Sequence, residues 1–250
     1  MAVAFCLFGA GQGLALAAPN AGIDKAPTSR EVENLIELGT WQEHQGLLDA
    51  AESSFLEAVV LQRSLVAVDP TLKPPRRQLA TVLRHAARVL TARQEFERAA
   101  PLLEESLVTA LRTKALFNVD PEDARNLALG YEMKARQFER ENDPDQAEQA
   151  LLLSARYSLD WVASEVYNPE THFHAAAVHI EALEKGRLSV THVKFAEISL
   201  ELLALFNADP ARRAALEARF APYRRLTEDG YEPELLWGTF LNMFSGSPIP

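Results

Sequence analysis

The sequence predicts an all-α protein built as a stack of helical hairpins, and two observations carry that expectation. Only 11 glycines among 250 residues leave little for β-turn chemistry, while Ala, Leu, Glu and Arg dominate the middle of the chain. That mixture favours helix over strand. The second observation is internal self-similarity. Ala51, Ala99 and Ala147 recur at intervals of 48 residues; Phe55, Leu103 and Leu151 follow each of them by four, and Ala58, Ser106 and Ser154 by three more. Upstream, Gly39, Ala87 and Ala135 keep the same interval, and a fourth copy with Ala196 and Leu200 follows at a spacing of 49.

Each unit reads as helix, turn, helix. A small residue in the first helix (Gly39, Ala87, Ala135) lets the second approach closely, and the Ala, large, small series at i, i+4 and i+7 lies on one stripe of the second. One hairpin cannot bury such a stripe alone, so neighbours must stack. In order along the chain the expected helices are 29–45, 48–67, 74–93, 96–116, 121–141, 144–166, 170–186, 190–207 and 210–228. Asp69-Pro70, Asp120-Pro121, Asn168-Pro169 and Asp209-Pro210 end one helical pattern and open the next, because proline disfavours helix in the residue before it and suits the first helical turn. Gly46, Asp143-Pro144 and Gly186 mark turns inside hairpins. A last segment, 232–244, carries Leu235, Leu236, Trp237, Phe240, Leu241, Met243 and Phe244, and its apolar density is expected to cap the end of the stack.

Leu35, Leu38-Gly39, Ala51, Phe55 and Ala58 match the spacing of the tetratricopeptide consensus. From about residue 30 to 207 the chain resembles that family, best in the first repeat. It departs in a period of 48, not the family's 34, and in Gln42, Leu90 and Phe138 where the consensus has tyrosine. The resemblance implies longer helices of the extended-repeat type. It also implies a right-handed superhelical solenoid of four antiparallel hairpins plus C-terminal capping helices, spanning 29–228 with a capping segment and tail at 229–250.

Charge and leader bound the function. A net charge of −10 argues against non-specific binding of nucleic acid or an anionic membrane. No stretch is long and apolar enough for a spanning helix. Residues 1–17 read as a cleaved export signal followed by a linker, 18–28: the first 18 residues are uncharged, and cleavage after Ala17 would place Ala15 and Ala17 where signal peptidase takes small side chains. The basic region such signals carry is missing, since the first lysine is Lys25. A periplasmic or secreted location is therefore expected, with a cytoplasmic one as the alternative. The one cysteine, Cys6, lies in the leader and can form no internal disulfide.

No nucleophile elbow, phosphate loop or dinucleotide fingerprint is present. His172, His174 and His179 with Glu181 are the best metal-like cluster, but on one helix they cannot converge on an ion, and they are expected to be solvated or hydrogen-bonded. Acid pairs such as Glu104-Glu105 and Asp143/Asp145 are read as solvated surface charge. Trp161, four residues after Tyr157, is expected to pack between repeats, while Trp41 is expected to be partly exposed. Neither cofactor, metal nor catalytic residue is assigned.

The groove positions implied by the resemblance are Ile36, Thr40 and Glu43 in repeat one, Arg84, Arg88 and Thr91 in repeat two, and Glu132, Arg136 and Glu139 in repeat three, with Arg140 beside them. Arg84/Arg88 and Arg136/Arg140 are i, i+4 pairs able to clamp a carboxylate or acidic peptide. The expected function is a non-enzymatic adaptor that holds a partner peptide or helix in this groove. The alternative is a structural subunit of an envelope or secretion assembly, and a more remote one a helical enzyme.

Overall fold

Lys73, Pro74 and Pro75 open a helix where Asp69-Pro70 alone would have placed a boundary, and the reason is local. Asp69 folds back on the Thr71 amide at 2.9 Å, making a turn that delays the helix. A computed structural model describes residues 28–116, 120–186 and 190–227. The expected leader 1–17, all of the linker but Thr28, and the capping segment 229–250 lie outside the described residues.

Among the described residues there are nine α-helices and no strand: α1 Ser29–His44, α2 Leu48–Val68, α3 Lys73–Ala92, α4 Phe96–Leu116, α5 Pro121–Arg140, α6 Pro144–Ser164, α7 Pro169–Glu184, α8 Val190–Leu205 and α9 Pro210–Phe220. The ninth was expected to run to 228; it instead tightens at Ala221 into a 3-10 helix, Ala221–Thr227. Among the described residues no helix is long and apolar enough to cross a membrane.

The helix starts follow from capping chemistry. Asp120, Asn168 and Asp209 each accept a backbone N–H two residues on, at 3.0, 3.1 and 3.0 Å, and each is followed by the proline expected in the first helical turn. Thr28 and Glu31 form a capping box on α1. Turns within hairpins use the left-handed region: Gly46 (φ 74°), Gln94 (64°), Asn142 (56°) and Gly186 (83°). The first three are spaced by 48, so the turn repeats even where its glycine does not.

Consecutive helices pack on one another along the whole described chain up to α9. The repeated stripe forms the seam: Ala51, Phe55, Ala58, Ala99, Leu103, Ser106, Ala147, Leu151, Ser154, Ala196 and Leu200 are all buried. Gly39 faces Phe55 so closely that a Cβ there would sit 2.8 Å from the ring. Separate contacts join α1 to α3, α3 to α5 and α7 to α9, and His174 of α7 reaches to 3.5 Å from Glu132 of α5, so the odd-numbered helices lie along one side of the stack.

Candidate functional site

The odd-numbered helices present the candidate surface, and two open clefts lie on it. One, of about 440 Å³, is lined by Glu33, Ile36 and Glu37 of α1, Pro74, Arg77, Gln78 and Thr81 of α3 and Glu122 of α5. The other, of about 470 Å³, is lined by Arg136, Glu139 and Arg140 of α5 and Glu181 of α7.

The groove residues expected from sequence are dispersed by their partners. Arg84 is 1% exposed. Its Nε donates to Asn126 Oδ1 at 3.1 Å, Asn126 Nδ2 donates to Thr81 Oγ1 at 2.9 Å, and Thr81 donates to Glu122 at 2.8 Å. This relay ties α3 to α5. Burial, with Arg125 and Arg88 nearby, pushes the Arg84 guanidinium down to about 9. Arg88 meets Glu43 at 2.5 Å and contacts His85 Nδ1 at 2.9 Å. Thr40 returns its hydroxyl to the Ile36 carbonyl at 2.8 Å. Thr91 is half-buried near the end of α3. Arg136 pairs with Glu132 at 2.5 Å, and the Arg140 guanidinium lies 4.2 Å from the Phe96 ring centre.

The four arginines thus do not form one open basic surface. Arg84 sits where α3 meets α5, and an arginine at such a position satisfies its donors inside the fold. In the first cleft the balance is acidic: Glu33 and Glu37 are exposed and without an ion pair among the described residues, while Arg77 is committed to Asp120 and Asp123. The cleft between α5 and α7 is mixed, with Lys185 holding both Glu139 and Glu181.

The relay through Asn126, Thr81 and Glu122 escaped sequence reasoning. Its one signal is Asn126, a polar residue inside an apolar stripe. Also unforeseen is a ladder of ion pairs between repeats: Glu52 with Arg93 and Arg98, Lys114 with Asp160 at 2.8 Å, and Arg212 with Glu170 at 2.9 Å.

His172 and His179 are hydrogen-bonded but buried instead of solvated, and His174 Nδ1 lies 3.5 Å from Glu132. His172 Nε2 meets the Val166 carbonyl at 2.7 Å, and His179 Nδ1 meets His192 Nδ1 at 2.8 Å. Among the described residues no group of three or more His, Cys, Asp or Glu could hold a metal ion. Glu104 pairs with Lys134 at 3.3 Å, Glu105 with Arg63, and Asp143 caps α6. Trp161 is 4% exposed and packs against Ala124 and Ala128, whereas Trp41 is 56% exposed.

No family model matches the chain, and no curated protein matches it. Among solved structures, a chain described as "DHF58 filament" is 18% identical over 86% of this chain and 88% of its own length, with a TM-score of 0.21. A TM-score that low bears on neither fold nor function.

Proposed function

We propose that this protein is a non-enzymatic adaptor of tetratricopeptide-like type that binds a peptide or helix of another protein along its odd-helix face. In this reading four antiparallel hairpins wind as a right-handed superhelix, and the shared layer of α1, α3, α5, α7 and α9 is the concave side. The observation that carries the reading is the cleft across α1, α3 and α5, where Glu33 and Glu37 stand four residues apart, exposed and without an ion pair among the described residues. Like charges at that spacing disfavour an isolated helix by roughly 0.2–0.5 kcal/mol, a cost that a bound guest would relieve. The test is affinity purification of the native complex from an envelope fraction, with wild type beside Glu33→Lys/Glu37→Lys. Loss of a stoichiometric partner with an unchanged melting curve supports the reading; full retention of the partner removes this face from it.

Export belongs to the same proposal: the mature chain should begin near Ala18, and a mature chain starting at Met1 would place it in the cytoplasm instead.

A second reading, a structural subunit of a larger assembly, rests on the α1 end of the stack. Leu38 and Trp41 are 45% and 56% exposed, yet their equivalents 48 residues on, Ala86 and Val89, are 0% exposed. The end face therefore resembles an interface between repeats that lacks its neighbour among the described residues. Native mass spectrometry of Leu38→Glu/Trp41→Glu separates the readings: an assembly built on this end dissociates, whereas groove binding persists.

A further inference from the structure

Four of the six histidines in the chain lie on one hairpin: His172, His174 and His179 on α7 and His192 on α8. Each has an imidazole nitrogen in a setting that suits the neutral ring. His179 is 2% exposed and stacks on Phe195 at 5.4 Å. Its Nδ1 is 2.8 Å from His192 Nδ1, and its Nε2 is buried without a hydrogen-bond partner. His172 Nδ1 and His174 Nε2 are likewise buried and unpartnered.

The proton count of the His179–His192 contact is restrictive. With one proton between the two Nδ1 atoms, one ring donates and the other accepts. A further proton on His192 leaves its Nδ1 a donor, so His179 must then carry its own proton on Nε2, where no acceptor waits. With both rings cationic, N–H points at N–H. The charged and titratable neighbours offer little relief. His179 faces His192 and His174, and no carboxylate among the described residues faces the pair. His174 faces Glu132 and Arg136 of α5, Arg84 of α3 and Arg212 of α9, with Glu132 the one group there that favours its cation, at 3.5 Å. His172 meets the Val166 carbonyl and the Phe206 ring.

We propose that the His179–His192 contact is an acid-released latch, which holds α7 against α8 near neutrality and lets the hairpin open in mild acid. Burial lowers His172, His174 and His192 and takes His179 to about 3. The sign follows: the closed form binds fewer protons than the open one, so closure is fully favoured above about pH 6.5 and weakens as pH falls below it. Each histidine kept neutral in the closed form shifts the balance about tenfold per pH unit, or about thirtyfold by pH 5.

The test is hydrogen exchange on the full chain at about pH 7.5 and about pH 5, corrected for intrinsic rates, with the histidine-free helices α5 and α6 as reference. The latch predicts that α7 and α8 lose at least about thirtyfold more protection than the reference in wild type. His179→Phe, which keeps an apolar ring beside Phe195, and separately His192→Gln should each blunt that loss, while exposed His44→Gln leaves it intact. Equal loss across all helices, no loss, or an undiminished response in both variants overturns the proposal.

Discussion

The hydroxyl of Ser106 on α4 donates to the carbonyl of Ala80 on α3 at 2.7 Å, and 48 residues on Ser154 donates to Ala128 at 2.8 Å. Both serines are fully buried. In the first repeat the same place holds Ala58, packed in one cluster with Val32, the residue corresponding to Ala80. A small side chain is what the close approach of two helices demands, and a hydroxyl qualifies because a backbone carbonyl is within its reach.

Ser106→Ala and Ser154→Ala should therefore cost alike, about 0.5–1.5 kcal/mol each, the net value of one internal hydrogen bond. Urea midpoints at unchanged slope check this. Ser106→Leu should cost more, about 1–3 kcal/mol, through overpacking.

Gln94 holds the left-handed turn conformation that Gly46 adopts 48 residues earlier, at φ 64° against 74°. Such a φ strains a side chain that glycine lacks. Gln94→Gly should raise stability by about 0.5–1 kcal/mol and Gly46→Ala lower it by a similar amount. Nothing lies within 4 Å of a Cβ at Gly46, so thermal melts of that variant report backbone strain alone.

Gly39 and Gly130 both sit inside helices, yet alanine should affect them differently. At Gly39 the new Cβ meets the Phe55 ring at 2.8 Å, and that ring is fully buried. At Gly130 it meets Cδ2 of Leu107 at 2.8 Å, the movable end of a flexible side chain. Gly39→Ala is expected to cost about 1–3 kcal/mol and to be partly rescued by Phe55→Leu. Gly130→Ala should be near neutral, because helix propensity returns up to about 1 kcal/mol.

Arg84 is a buried cation with a neutral amide as its hydrogen-bond acceptor. Replacing such a charge with an apolar side chain of similar length is often neutral or stabilising. Arg84→Met should keep the fold with stability within about 1 kcal/mol of wild type, whereas Arg84→Glu should lose about 3 kcal/mol or more. Because the side chain is buried, guest binding by Arg84→Met measures positioning of α3 against α5, not direct contact.

Trp161 and Trp41 offer a core-versus-surface contrast. Trp161→Ala should cost about 3–5 kcal/mol and Trp41→Ala within about 0.5 kcal/mol. Loss of a partner on Trp41→Ala with stability intact would mark the α1 end as a contact surface.

How legible the molecule was depends on the interaction asked about. The helices stood out because a 48-residue repeat of Ala51, Phe55 and Ala58 records the seam between hairpins directly, and their ends because Asp120, Asn168 and Asp209 announce their caps. The last helix ran short of expectation because Pro222, which has no backbone N–H to continue the α-helical ladder, directly follows Ala221 and was not read as a boundary. The groove was poorly legible. Arg88 and Arg136 share a repeat position and a residue type, but one pairs with Glu43 of the preceding repeat and the other with Glu132 on its own helix, while Arg84 is buried against Asn126. Side-chain destinations depend on neighbours some 40 residues away, and Glu43, Asn126 and Glu132 carry no mark of the arginine each receives.

By itself the sequence determined an all-α chain, the order and approximate limits of its helices, and which stripe each buries, since those follow from short-range periodicity and caps. Only the tertiary structure decided which charges remain free. It left Glu33 and Glu37 open, buried Arg84, and set His179 against His192, because pairing and desolvation are properties of what the fold brings together in space.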